Sequence, residues 1–321
     1  MTLEELADRL ASNEGYESLS IAAGTPWVAV RLGDEPMPLH AQPNCPVVGI
    51  AEGNEPLDDA VPDVVDVVVT AEEVAAVTDS ISRNPVAAAV LVRLLRHNER
   101  VGSADSGFAE SLAYSTLQHG SEFQAWLASR ESRPLRPEPD TPVVLLERRD
   151  ARLRITLNRP HKRNAYSANL RDGLCEALGL ALADDSIRQV VLDGAGACFS
   201  AGGDLDEFGE ATDAGLAHAS RMARNAGALI DCLRDRIEAR LHGACIGAGI
   251  ELPAFAGRVV ARPDAFFQLP EVGMGLIPGA GGTTSILRRI GRRRLAYMAL
   301  TGARIDAGTG LDWGLVDAVE T

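Results

Sequence analysis

Between residues 190 and 283 the chain runs three times from an apolar stretch straight into a glycine-rich turn. The passages are VVLDGAGACFSAGGDLDEF, HGACIGAGIELPAF and FQLPEVGMGLIPGAGGT. Turns of this kind admit positive φ and close approaches that larger residues forbid, so strands must be delivered into tight corners here. In SAGGDL (200–205) and GAGIEL (247–252) the turn opens a helix, leaving N–H groups able to hold negative charge. For each motif alone, a purely conformational role weighs as much as a functional one. PGAGG at 278–282 is a weaker signal, and no GxGxxG follows a strand there. Two glutamates stand among the apolar residues: Glu251 between Ile250 and Leu252, and Glu271 after Pro270. Either can be an ordinary solvent-facing carboxylate. Set beside exposed N–H groups, the pair points to proton transfer next to a stabilised carbonyl.

The rest of the chain supplies the frame. Residues 2–12 predict a short helix with Thr2 as N-cap and Leu3, Leu6 and Leu10 on one side. Apolar runs at SLSIAA, WVAVRL, PVVGIA and VVDVVV, separated by Gly, Pro and Asp, predict strands. From Thr70 the period becomes helical. Thr70 and Glu73 form a capping box for a helix through about Ile81, and Asn84–Pro85 open a second, VAAAVLVRLLRHN. A third helical stretch, 108–130, is expected to break near Gly120. Residues 132–141, with Pro134, Pro137 and Pro139 and no apolar periodicity, are the clearest linker. Beyond it come strands at VVLLER and RLRITL, a helix near 167–183, strand RQVVLDG, a long helical region over 212–236, and strand EARLHG. Strands RVVAR and AFFQ, helical pieces from 282 to 313 and a last strand LVDAV complete the chain. Repeated ββα units predict an α/β protein with stacked sheets.

Charge and cysteine usage narrow the function classes. A net charge of −14 argues against nonspecific partnership with nucleic acid or anionic membranes. No apolar run approaches the roughly 20 residues of a bilayer span. The acidic, helical N-terminus lacks a signal-peptide pattern, which makes a cytoplasmic protein the expectation. The five cysteines form no CxxC and read as reduced thiols. The six histidines form no HxxH or HExxH pattern and no GxSxG elbow occurs, which disfavours metal catalysis and serine hydrolysis. Arg288, Arg289, Arg292, Arg293 and Arg294 cannot all share one helix face, so a solvated surface is favoured over a phosphate site.

Together these passages resemble the crotonase, or enoyl-CoA hydratase/isomerase, superfamily. ITLNRPHKRNAYS (155–167), VVLDGAGACFSAGGDL (190–205), GACIGAGIEL (243–252), FQLPEVGMGLIPGAGGT (267–283) and the tail RIGRRRLAYMALTGARIDAGTGLDWGLVDAV occur in family order. The resemblance covers about 142–320 and implies a crotonase-type spiral of ββα units. It implies an acyl-CoA thioester as substrate, whose carbonyl oxygen would meet the N–H groups of Gly203 and Ala248; relatives usually carry glycine at the latter. Glu251 and Glu271 match the two glutamates that position and deprotonate water in hydratases. Isomerases commonly keep only the one matching Glu271, so hydration is favoured over isomerisation or another lyase reaction, with a non-catalytic acyl-CoA-binding homologue as the alternative from a different class. Gly279 would offer a further N–H near the water. Leu269 stands where some hydratases carry glutamine, a change expected to bear on the acyl pocket. For coenzyme A the resemblance points to the backbone at Arg163 and Ala165, and to Ala201, Asp204 and Leu205. Coenzyme A enters as part of the substrate, no cofactor or metal is implied, and a homotrimer or hexamer is expected.

The chain stops at GLVDAVET, where relatives continue with helices that close the site. Residues 62–131 resemble that missing segment, which suggests that the C-terminal helical region stands at the N-terminus, as in a circular permutation. On this reading 1–61 is an extension of unplaced role, 132–141 joins the helices to the core, and 142–321 carries the site. Trp126 would line the acyl or pantetheine channel and Arg130 would meet the 3′-phosphate. An unrelated N-terminal interaction domain is the alternative.

Overall fold

The sequence alternates residues that must be buried on both sides with residues that need one wet face, and the sheets sort accordingly. The structure is a computed structural model that describes residues 1–33, 41–51, 61–131 and 139–320. Most of the 132–141 linker therefore lies outside the described residues.

The chain opens with α1 (Leu3–Leu10), α2 (Asn13–Ser18), β1 (Val28–Arg31), β2 (Val47–Ala51) and β3 (Val67–Thr70). The three strands form a parallel sheet in the order β1-β2-β3. Thr2 forms the expected capping box with Glu5 and α1 buries Leu3, Leu6 and Leu10. SLSIAA makes no strand: Ser20 caps a single helical turn at Ile21–Ala23 that ends in Gly24 at φ +83°.

Four helices follow: α3 (Val74–Arg83), α4 (Pro85–Asn98), α5 (Ser103–Gln118) and α6 (Ser121–Ser129). Neither expected cap forms as written. Glu73 reaches back to the Thr70 N–H at 2.9 Å, but α3 starts only after Glu73. At α4 the Asn84 side chain makes no cap bond, and the carboxylate of Glu122 takes the Val86 and Ala87 N–H groups at 2.7 and 2.9 Å. A tertiary carboxylate serves as well as a local one because the orphan amides need only an acceptor. The break at Gly120 falls as expected, between α5 and α6.

The remaining chain is built on β4 (Val144–Arg149), β5 (Arg152–Leu157), α7 (Ala168–Ala183), β6 (Gln189–Gly194), α8 (Ala214–Ala223), α9 (Ala226–Cys232) and β7 (Ile237–Leu241). It continues through β8 (Ala244–Ile246), α10 (Ala248–Glu251), β9 (Arg258–Ala261), β10 (Phe266–Gln268), α11 (Gly282–Thr301), β11 (Ile305–Asp306), α12 (Ala307–Trp313) and β12 (Ala318–Val319). The single helix expected over 212–236 is two, parted at Arg224–Asn225 where the Asn225 side chain caps α9. A six-stranded sheet runs β12-β9-β7-β6-β5-β4, parallel except for the β4–β5 hairpin. Central β6 buries Val190, Val191, Leu192 and Asp193 in succession, as a strand covered on both faces must. A second sheet, β11-β10-β8, stacks beside it. This is the stacked α/β architecture expected from the ββα units.

The arginine run does not form a solvated face. Arg292 is buried and bonds Asp66 at 3.0 Å and Glu99 at 2.7 Å, while Arg96 holds the other side of Asp66. Arg289 pairs with Asp317, Arg288 pairs with Asp231, and Arg293 donates to the carbonyls of Val61 and Pro62. A positive φ of 76° at Gly291 kinks α11 and lets neighbouring arginines leave in different directions. Asp66 is fully buried between Arg96 and Arg292, so the N-terminal sheet is pinned to α11 through charge as well as apolar packing.

Candidate active site

The first two glycine turns are brought edge to edge by the sheets beneath them. Ser200 and Cys245 form a parallel bridge, and Ile246 donates to the Ser200 carbonyl at 3.1 Å. A Cβ on Gly249 would stand 2.4 Å from that carbonyl, and one on Gly202 2.8 Å from the Ile246 carbonyl. Only glycine permits the approach. Among the described residues neither the Gly203 nor the Ala248 N–H donates to a protein acceptor, and both residues line one cavity of about 550 Å³.

Glu251 and Glu271 meet above Gly247. This glycine has φ +50°, and a Cβ on it would lie 2.4 Å from Glu271 Oε1 and 3.8 Å from Glu251 Oε1. Glu251, 2% exposed, anchors its other oxygen: Oε2 accepts the N–H groups of Ala280 and Gly282 at 2.7 and 2.9 Å. Among the described residues, Glu271 Oε2 is buried without a hydrogen-bond partner. Burial pushes the Glu271 carboxyl up to about 8. Burial, then the neighbouring charges of Glu271 and Glu110, holds Glu251 well above the usual carboxylate range. The pair therefore gives up its first proton well above the ordinary carboxylate range, and one carboxyl then stays protonated beside one ionised. Glu251 is thus buried, and Glu271 is half-buried on the cavity wall with its Oε2 atom buried.

The helices upstream close the cavity. Tyr114 of α5 packs over Gly279, whose added Cβ would fall 2.3 Å from its ring. Glu110, also of α5 and 3% exposed, takes the Gly281 and Thr283 N–H groups. Arg221 of α8 lies over the Tyr114 ring and donates to Ser111, Ser115 and Gln118. The sequence reading named none of these three. A signal existed in the cluster of Ser106, Glu110, Ser111 and Ser115, a polar stripe at helical spacing in a helix that exposes Phe108 and Leu112.

Of the residues singled out from sequence, the cavity brings together Gly203, Asp204, Ala248, Glu251, Glu271 and Gly279. The others, Arg163, Ala165, Ala201, Leu205, Trp126 and Arg130, do not line it. Arg163 has φ +54° and its carbonyl accepts the Ala201 N–H at 2.9 Å. The Ala165 carbonyl accepts from Arg159, which also pairs with Asp204 at 2.9 Å. Arg159 and Lys162 hold the Asp204 carboxyl below its usual range although burial opposes them. Trp126 packs on Phe208, a cavity residue lying against Gly203, and Arg130 lies over Trp126 while donating to the Leu205 carbonyl at 2.7 Å. Among the described residues no helix is long and apolar enough to cross a membrane.

Fold and site thus define a class: an α/β protein that sets paired carboxylates beside free backbone N–H groups in one pocket. A family model of enoyl-CoA hydratase/isomerase matches residues 147–321, and the chain belongs to that family. It is 35% identical over 176 residues to a 2,3-dehydroadipyl-CoA hydratase of Escherichia coli, covering 55% of this chain and 68% of that one. It is 33% identical over 167 residues to a 1,2-epoxyphenylacetyl-CoA isomerase of the same organism, covering 50% and 63%. Among solved structures, an enoyl-CoA hydratase of Mycobacterium smegmatis superposes with a TM-score of 0.52 at 32% identity, over 56% of this chain and 70% of that one. The chain spans 68%, 64% and 62% of three of the curated relatives it matches.

Proposed function

We propose that this protein adds water to a 2-enoyl-CoA to give a 3-hydroxyacyl-CoA. The observation that carries the reading is the meeting of two glutamates over Gly247, in the same cavity as the unspent N–H groups of Gly203 and Ala248. With the thioester oxygen on those two donors, negative charge developing at that oxygen is stabilised, by on the order of 3 kcal/mol per donor. The ionised member of the pair takes a proton from water as its oxygen bonds to C3. The protonated member delivers a proton to C2, so the two carboxyls exchange roles and the pair keeps one proton. The relatives include a hydratase and an isomerase at similar identity, and the presence of both glutamates is what supports hydration.

The helices at 85–129 serve this site as closing helices, which supports relocation of the family's C-terminal segment to the N-terminus. On that reading Trp126, one ring away from the Gly203 turn through Phe208, walls the pantetheine channel. Arg130 beside Leu205, with Arg163, Ala165 and Ala201, forms the rim on which the nucleotide end of coenzyme A rests. The test is crotonyl-CoA hydration, followed as loss of the conjugated thioester absorbance. Both Glu251→Gln and Glu271→Gln are expected to abolish it. Double-bond migration that survives Glu251→Gln but not Glu271→Gln would make the protein an isomerase. Binding of acyl-CoA with no turnover of any enoyl thioester would overturn catalysis altogether.

A further inference from the structure

Four successive N–H groups where α11 begins are divided between two carboxylates in alternation. Ala280 and Gly282 donate to Glu251 Oε2, at 2.7 and 2.9 Å. Gly281 and Thr283 donate to Oε1 and Oε2 of Glu110, at 2.7 and 3.0 Å, and the Thr283 hydroxyl adds a bond of 2.5 Å. Glu110 arrives from α5, 171 residues upstream of Gly281, and lines the same cavity. Neither the addition of water nor the binding of the thioester oxygen uses it.

We propose that Glu110 is a positioning residue for the acid–base pair. By occupying the Gly281 and Thr283 amides it confines Glu251 to the two that remain. One Glu251 oxygen is then fixed, and the other is turned over Gly247 toward Glu271. Without Glu110, the turn would present four donors to Glu251, and either of its oxygens could swing into them. The inference rests on Glu251 and Glu271 being the acid–base pair.

Glu110 also adds a third carboxyl to the group. It faces Glu251 from α10 and Glu271 from the segment after β10, with Tyr114 on its own helix and Arg221 reaching from α8. Arg221 is the cation that offsets it, bonded to Ser111, Ser115 and Gln118 rather than to a carboxylate. His218 of α8 bonds Ser111 Oγ at 2.9 Å, and Asn98 of α4 bonds the Thr283 hydroxyl at 3.0 Å. Burial pushes the Glu110 carboxyl itself up to about 7.

Glu110→Gln therefore removes a charge and one amide acceptor together. In the full chain it is expected to lower kcat on the order of 10- to 100-fold, as misplacement of a catalytic group does. Affinity for a saturated acyl-CoA should stay within about twofold, since that reading needs only ground-state contacts. The bell-shaped pH profile should move to lower pH by about one unit, because a like charge beside the pair is gone. Thr283→Val breaks the hydroxyl bond and loosens the same helix end while leaving the charge; it should lower Tm without moving the profile. Should Glu110→Gln fail to fold, Glu110→Asp keeps the charge but falls a methylene short of both amides, and it should lower kcat with the profile in place. A wild-type kcat and pH profile in Glu110→Gln, a wild-type kcat in Glu110→Asp, or a Thr283→Val variant that reproduces the pH shift would overturn the proposal. If the wild type hydrates no enoyl thioester, the function reading fails by itself. The proposal is then read from an infrared titration of isotope-labelled glutamates, where an unchanged titration of the other carboxyls in Glu110→Gln overturns it.

Discussion

Raising the pH should weaken this fold through Glu271, and replacing that residue by glutamine should remove the effect. Burial lifts its carboxyl from an ordinary 4.5 to about 8, and Oε2 has no bond to favour the ionised form. Between these values the native state keeps a proton that the unfolded chain has released. The native state thus binds more protons, and linkage makes stability fall as pH rises. The contribution is fully present below about 4.5 and lost by the time the pH passes about 8. At about 1.4 kcal/mol per pH unit the gap sets a ceiling of about 5 kcal/mol. Glu271 lies on a cavity wall and is only partly shielded from solvent, so water screening reduces the realised figure to about 1–2 kcal/mol. Glu110 acts with the same sign and titrates in both proteins, which makes the wild-type-minus-variant difference the quantity to measure. Urea unfolding of wild type and Glu271→Gln at unit steps from pH 5 to 9 gives that difference. It should drop by about 1–2 kcal/mol across the series. A difference that stays level, or climbs with pH, refutes the argument that Glu271 is held protonated by its surroundings.

Three further outcomes follow from single contacts. Gly247→Ala puts a methyl group 2.4 Å from Glu271 Oε1 at a backbone of φ +50°, and steady-state assay should show hydration reduced on the order of 100-fold or more. Asp66→Ala leaves Arg96 and Arg292 buried without their shared carboxylate and should lower unfolding free energy by about 3–5 kcal/mol in urea titration. Arg130→Ala frees the Leu205 carbonyl and uncovers Trp126; KM for acyl-CoA should rise several-fold with kcat held, as expected for a contact made equally in ground and transition states.

What could be read from the sequence was read where chemistry leaves few options. Glycines at 202, 247 and 249 are forced by carbonyls or a carboxylate lying 2.4–2.8 Å from any added Cβ, and such constraints survive in a sequence as motifs. Glu251 and Glu271 stood out because a carboxylate in an apolar run is costly unless used. Helix α5 hides its part for the opposite reason. Apolar periodicity would turn Phe108 and Leu112 inward, yet these are exposed, while Ser106, Glu110, Ser111 and Ser115 are buried and Glu110 and Ser111 line the cavity. A helix whose buried side is a polar site inverts the pattern on which such readings depend. The cap expected at Asn84 misses the observed one because the acceptor, Glu122, stands 35 residues beyond Ala87, which no local rule can see. The arginines of α11 were read as solvated because their partners, Asp66, Glu99, Asp231 and Asp317, are scattered through the chain.

These same contacts explain how a site can be completed by a segment that precedes it. Loop-closure entropy grows only with the logarithm of the separation, so bringing α5 to α11 over 171 residues costs little more than bringing a near neighbour there. What must be specified is the docking, and charge specifies it at both ends of the helical region. The Arg96–Asp66–Arg292 cluster ties β3 and α4 to the far half of α11, past the kink at Gly291. Glu110 ties α5 to the near end, where the amides of Gly281 and Thr283 have no other acceptor among the described residues. Sliding the helices along α11 would break either a buried ion pair or a buried cap, each costing several kcal/mol, whereas apolar contacts alone would tolerate the shift. The register that stability demands is the one that carries Glu110 and Tyr114 to the two glutamates, so a complete cavity wall and a stable docking are the same arrangement.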